Sequence, residues 1–385
     1  MEKLTKIRQV IGKEKENIKK FLESLVNQNS YTYNTEGVDK VAAILGTEMP
    51  KVFQHQTVDG GVKYAKHHIY TKDGKYDKPV VLVGHMDTLF KPDVPFNKLY
   101  EKGDKLIGPA VNDMKAGLTV IVWALKVLDI CGLLDEIPVK VVFNSEEETG
   151  SLDSKKIFLG LKDKVVKGLV YEDGGVGGTV VTKRIGITDY TLEATGVAAH
   201  AGLYYGSKIS ALLEIAHRIV WLESLNLGRD RLTINVGMAQ GGLATNIVPD
   251  KAVCNFEIRV WDESELNKML QKIETSILKP TVDGCKLNLV KGKHRPPLAE
   301  SQEGTKLFNL VSEVASSIGQ KVIEEHRSGG SDASWLSSVG VPSIDGLGPV
   351  GDLDRTEDEY ILTETLFERI ELTAALLLSS KLFES

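Results

Sequence analysis

The sequence predicts an α/β protein in which a mostly parallel sheet is sandwiched by helices and a smaller α+β unit is inserted. Three observations predict this class. Short apolar runs such as Val80-Val81-Leu82-Val83 alternate with segments of helical periodicity, the pattern of parallel strands buried on both faces. Near Thr182 the texture changes to a strand-helix-strand-strand-helix-strand order, the split βαβ arrangement, and it changes back after residue 295. A chain of 385 residues also exceeds the size at which one core stops growing. The expected boundaries are 1–182 and 296–385 for the two parts of a larger domain, with 183–295 as the insertion.

Each element has its own justification. Ile7, Ile11, Ile18, Phe21 and Leu22 recur at helical spacing and predict an amphipathic helix through residue 25. A short helix is expected over 37–45 and strands over 51–58 and 62–71. The run 79–84 reads as a fully buried strand, and 114–128, apolar almost throughout, as a helix packed under the sheet. Further buried strands are expected over 138–144 and up to residue 171. In the insertion, strands are expected over 183–195, 231–239, 252–260 and 285–290, with a long amphipathic helix over 207–222. Asp262 with Glu265 forms a capping box for a second helix whose inner face carries Leu266, Met269, Leu270, Ile273 and Ile277. Residues 291–297, with Pro296-Pro297, read as an exit linker. A helix over 303–318, a short strand and a last helix over 363–382 complete the chain.

Composition narrows the function classes. The chain is 42% hydrophobic and 26% charged, with net charge −6, which gives no reason to expect a nucleic-acid or membrane partner. Cys131, Cys254 and Cys285 are widely spaced and form no CxxC pair, so neither a disulfide framework nor a thiolate metal site is expected. Residues 1–6 lead into a charged helix with no apolar signal core, and no run approaches a membrane span. A soluble cytoplasmic protein is the expectation.

The chemistry gathers where strands end. Gly84-His85-Met86-Asp87 closes a buried strand, at the sheet edge where open α/β proteins place their sites. Asp113 follows the Gly108-Pro109-Ala110-Val111 turn, Glu146-Glu147-Glu148 follows Asn144-Ser145, and Glu172-Asp173-Gly174 follows Tyr171. Imidazole and carboxylate suit zinc where thiolates are absent. His85 would bind one of two metals, with Asp87 orienting its ring. Asp113 would bridge the pair, Glu148 and Glu172 would complete separate metals, and Glu147 would move the proton of an attacking water. Each acid also has a plainer reading: Asp113 as a helix cap, 146–148 as a solvated first turn, 172–174 as a simple turn.

These residues resemble the dizinc metallopeptidase family of glutamate carboxypeptidase, aminoacylase, succinyl-diaminopimelate desuccinylase and peptidase T. The resemblance spans nearly the whole chain. It rests on Gly84-His85-Met86-Asp87-Thr88, Asp113-Met114-Lys115, Glu147-Glu148-Thr149-Gly150-Ser151, Gly196-Val197-Ala198-Ala199-His200-Ala201-Gly202, Thr245-Asn246-Ile247-Val248-Pro249 and Gly329-Gly330-Ser331-Asp332-Ala333. Glu172 after an apolar strand is nearest the glutamate carboxypeptidase branch, since peptidase T-like members more often carry Asp there. The resemblance implies a zinc-peptidase-like catalytic domain, an inserted dimerisation and lid domain, a homodimer, and a cis peptide after Asp113. It implies two divalent ions per subunit, zinc first with cobalt or manganese as alternatives. It also implies His200 as an electrophile toward the substrate carbonyl, in cis or trans. Asn246, Arg259, Arg327 and the glycine turn at Gly330 are implied substrate contacts. Without the family, His200 reads as a strand-end histidine, and Arg259 and Arg327 as surface arginines.

One motif departs from the family. Its last zinc histidine precedes a Glu-Tyr pair, and this chain reads Asp352-Leu353-Asp354-Arg355-Thr356-Glu357-Asp358-Glu359-Tyr360. Arg355 aligns with that histidine and cannot ligate a cation; Asp354, one residue away, could, and is the favoured ligand. Asp352 is a further candidate. The expected activity is metal-dependent hydrolysis of an amide bond in short peptides or N-acyl amino acids, glutamate carboxypeptidase-like. Aminopeptidase or dipeptidase action and a catalytically silent dimeric relative are the alternatives.

Overall fold

The computed structural model describes residues 2–203, 208–228 and 231–384. The chain divides into two compact units: Met1–Thr182 with Glu300–Arg327 and Ser331–Ser385, and Lys183–Ala299 with Ser328–Gly330.

The first unit is built on a six-stranded sheet in the order Gln54–Val58, His67–Lys72, Val139–Asn144, Val80–His85, Gly168–Val170, Ser343–Ile344. The last four strands pair in parallel, and the first two join antiparallel at one edge. Val80, Val81, Leu82 and Val83 are fully buried, so each contributes about 1.5–3 kcal/mol by leaving water. The helix Ala116–Ile130 is buried almost all round, because Glu2–Val26 and Thr363–Leu377 pack on it from outside. Gly117 permits its close approach to the sheet: a Cβ there would stand 2.0 Å from the carbonyl oxygen of Tyr171.

Parallel pairing puts the C-terminal strand ends on one edge. His85 registers with Asn144, and Val83 with Val170, so the segments after residues 85, 144 and 170 emerge together. A second sheet, ordered Gly351–Asp352, Tyr360–Leu362, Lys105–Ile107, Tyr100–Lys102, brings the distant segment 351–360 beside the Asp113 turn. Tyr360 registers with Ile107, and the Gly108 N–H donates to the Glu359 carbonyl at 3.2 Å.

The second unit has strands Gly186–Thr195, Leu232–Gly241, Lys251–Val260 and Lys286–Arg295, with helices Ala211–Glu223 and Glu263–Ser276. Every pairing in its sheet is antiparallel. Asp262 caps the second helix through the Ser264 and Glu265 N–H groups, at 2.8 and 3.0 Å. Of the helix expected over 207–222, residue 207 lies outside the described residues; Ser210 caps the start at Ala211.

The exit linker expected over 291–297 is corrected. The strand runs on to Arg295 because His294 and Arg295 pair with Thr188 and Ile187 across a bulge. The two prolines only follow it. The unit also extends past residue 295 to Ala299 and takes in 328–330, since Arg184 donates to the carbonyls of Leu298 and Gly329, both at 3.1 Å.

Candidate metal centre

His85 ends its strand almost completely buried. Its Nδ1 lies 2.9 Å from the Asp87 backbone carbonyl, an acceptor only, so Nδ1 carries the ring hydrogen. Nε2 then faces Asp113 Oδ1 at 3.1 Å and Glu172 Oε2 at 3.6 Å. Ligand atoms of His85, Asp113 and Glu172 all lie within 4.8 Å of one another. One nitrogen and two carboxylate oxygens, held close and largely out of water, are donors that suit a zinc-like divalent ion.

The Asp87 carboxylate does more than face the ring, from which it stands 3.5 Å away. Its oxygens accept the backbone N–H groups of Glu147 at 3.0 Å and Glu148 at 3.3 Å, and the Thr32 hydroxyl at 2.7 Å. The strand end that carries the histidine therefore also positions the acidic turn.

That turn is not a solvated first turn. Glu146 is fully buried, and its carboxylate accepts from the Leu152 N–H at 2.7 Å and the Ser154 N–H at 2.9 Å, closing the loop behind it. Glu147 is also buried, and the Glu148 side chain is only 2% exposed. Asp113 is not the cap of the helix that follows: Lys115 precedes that helix, which has no side-chain cap. Asp113 sits instead in a kinked turn over Val111–Lys115, where its own φ of −112° and ψ of 87° are not helical, with a cis Asp113-Met114 peptide bond.

Glu359 holds this turn in place. Its Oε1 accepts the N–H groups of Asn112 at 2.8 Å and Asp113 at 3.1 Å, and its Oε2 accepts that of Arg355 at 3.2 Å. Sequence reading used Glu359 only as an alignment marker. The available signal was a carboxylate directly before a strand.

Crowding sets the electrostatics. Burial, then the Asp113 charge, raises the Glu148 carboxyl well above the usual range. Burial likewise raises Glu172, against the opposing pull of His85. Burial opposes the charged form of His85, but Glu172, Asp113 and Asp87 together hold its pKa well above the ordinary value. Such a concentration of carboxylates favours a bound cation.

Asp352, Asp354 and Arg355 lie in the segment before Glu359. Asp354 Oδ1 accepts from Asn112 Nδ2 at 2.5 Å, and among the described residues the one group of three metal-ligating side chains is His85, Asp113 and Glu172. Asp352 Oδ1 is engaged by the Leu353 N–H at 2.7 Å. Arg355 reaches the acids instead: its Nη2 lies 2.9 Å from Glu148 Oε2 and 3.4 Å from Asp113 Oδ2. Arg327 pairs with Asp173 at 2.7 Å and Glu325 at 2.9 Å.

The remaining candidates belong to the second unit. His200 is exposed on the short strand Ala199–His200, which pairs with Ile247–Val248, and the Ala201 N–H donates to the Asn246 carbonyl at 2.8 Å. His200 and Asn246 thus share one exposed ribbon. Arg259 Nε donates to Glu257 at 2.6 Å. Gly330 leaves room for Arg295, whose Cδ would be 2.5 Å from a Cβ at that position.

The profile of peptidase family M20/M25/M40 matches residues 81–379. The chain belongs to this family. Within M20, it is 26% identical over 371 residues to carboxypeptidase G2 of a Pseudomonas species, covering 93% of this chain and 88% of that one. Its fold is similar to that of aminopeptidase PepT from Bacillus cereus, with a TM-score of 0.78 at 21% identity over 94% of this chain and 98% of that one. It is also similar to Bacillus subtilis YXEP, a dinuclear metal binding M20 peptidase, with a TM-score of 0.69 at 15% identity over 94% and 97% of the two chains. Membership makes this chain a metal-dependent hydrolase of the M20 kind. No helix among the described residues is long and apolar enough to cross a membrane.

Proposed function

We propose that this M20 chain hydrolyses an amide bond beside a free carboxylate, in short peptides or N-acyl amino acids. The observation that carries the reading is the closure of His85 Nε2, Asp113 and Glu172 on one point, with the Glu147 turn tied to the same strand end through Asp87. A divalent ion held by those three residues would polarise the scissile carbonyl and acidify water. Glu147 takes a proton from the attacking water as the C–O bond forms. It returns that proton to the leaving nitrogen as the C–N bond breaks. Similarity to carboxypeptidase G2 supports cleavage next to a carboxylate.

His200 and Asn246, on their common ribbon, are proposed to meet the substrate carbonyl region, and Arg259 its carboxylate through a two-pronged guanidinium contact. Arg327 and Gly330 are carried as contacts at the same end of the substrate. We further infer zinc as the native ion, a homodimer formed through the second unit, and cytoplasmic residence. The donor set supports zinc, three buried free cysteines support a reducing compartment, and the family resemblance supports the dimer.

The test is release of free amino acid from a dipeptide and N-acyl amino acid panel by chain loaded with zinc, cobalt or manganese. Glu147→Gln should lower turnover by roughly 10²–10⁴-fold with metal content unchanged. A folded, metal-loaded chain that is silent across the panel would support the non-catalytic alternative. A fully active Glu147→Gln variant would remove Glu147 from the role.

A further inference from the structure

Asp113 faces two ways. Its Oδ1 is 3.1 Å from His85 Nε2, on the side where Glu172 completes the three-donor site. Its Oδ2 is 3.4 Å from Arg355 Nη2, on the side where Glu148 lies 2.9 Å from that same nitrogen. A bridging carboxylate thus has a metal-ligating pocket on one side and a guanidinium on the other.

The second side does not fit an ion. A guanidinium has donors but no lone pair to offer, and it keeps its charge at any pH the fold survives. An ion placed between Asp113 and Glu148 would meet Arg355 at both oxygens and be repelled by it. The nearest substitute ligand, Asp354, is turned to Asn112. Backbone contacts hold Arg355 in this place: its N–H donates to Glu359 Oε2, and it adopts a left-handed φ of 66° in a turn where Leu353 does the same at 64°. Non-glycine residues take that conformation when their surroundings impose it.

We propose that this chain binds one divalent ion per subunit, and that the Arg355 guanidinium permanently occupies the place of a second. The proposal rests on the metal-hydrolase reading for the ion at His85, Asp113 and Glu172. Arg355 is a positioning residue: it neutralises Glu148 and fixes the outer oxygen of Asp113 without taking up a metal. Asp354 is then an acceptor for Asn112 rather than a ligand. The chain would keep a positive charge at the second position, one unit in place of two, while depending on external metal only at the first.

Zinc counting decides the matter independently of turnover. Full-length protein is equilibrated with buffered free zinc, and bound zinc per chain is measured by elemental analysis and by competition with a chromogenic chelator. One zinc is expected for the wild type, one for Arg355→Lys, one for Asp354→Ala, and two for Arg355→His, which restores a ligating side chain beside Asp113 and Glu148. Two zincs on the wild type overturn this inference and leave the hydrolase reading standing; no zinc overturns both. A folded Arg355→His variant holding a single zinc overturns the part assigned to the guanidinium. If that variant fails to fold by circular dichroism, the wild-type and Asp354→Ala counts decide, with one zinc in each supporting the inference.

Discussion

The carboxylate of Asp87 accepts the backbone N–H of Glu147 at 3.0 Å, so the residue next to the His85 strand end also sets the height of the proposed base. The candidate metal site and the proposed proton carrier therefore share one support.

Removing that support should disturb both. Asp87→Ala leaves the amides of Glu147 and Glu148 and the Thr32 hydroxyl without their buried acceptor. Zinc affinity should fall about 10–100-fold, the usual effect of losing a group that orients metal ligands. Chelator competition measures it, and an unchanged affinity would mean that the backbone carbonyl alone orients His85.

Glu359 should matter more for folding than its place in an acidic stretch suggests. Glu359→Ala leaves three backbone N–H groups around the Asp113 turn without their acceptor, at about 1–3 kcal/mol for each one that water cannot reach. We expect a loss of roughly 2–4 kcal/mol in urea unfolding, together with weaker zinc binding. A loss well under 1 kcal/mol would show that water replaces the carboxylate without cost.

His68 predicts a pH dependence of stability of its own. Its Nδ1 lies 2.9 Å from His55 Nε2 in a stacked pair, and burial pushes its pKa down to about 4 from 6.5. Between those values the unfolded chain binds a proton that the folded chain refuses, so stability is full above pH 6.5 and declines as pH falls toward 4. His68→Phe should make the decline between pH 7 and 4.5 shallower than that of the wild type by roughly 1–3 kcal/mol. Parallel unfolding curves for the two proteins across that range would refute it.

Chelation should lower the melting temperature, and zinc should restore it. The buried carboxylates around His85 repel one another until a cation joins them, and a ligand at a hundred times its Kd stabilises the folded state by about 2.7 kcal/mol. Calorimetry with and without a chelator measures this. A melting temperature indifferent to both would argue against metal binding at His85, Asp113 and Glu172.

The buried strands were legible because their signal is composition: Val80 to Val83 cannot be anywhere but inside. The acids near the metal centre were legible because they follow such strands, so one edge of the sheet gathers them. Less legible were features set by contacts between distant segments. The strand over 286–295 looked like a linker after residue 290 because its partner, 187–188, lies about a hundred residues away. Glu359 was given no role because nothing local says that it meets the amides of 112 and 113. Asp354 and Arg355 were hard to order because two left-handed residues in one turn decide which side chain points inward, and side-chain chemistry does not reveal that geometry.

The insertion begins and ends at neighbouring points, since the Arg184 amide reaches the Leu298 carbonyl and Pro297 lies against Gly186. Chain entry and exit are so close that a few residues would span the gap if everything between them were excised, and closing so short a loop has a modest entropic cost. The larger unit can thus be rejoined genetically as a shortened polypeptide, giving a direct way to ask what the inserted module contributes.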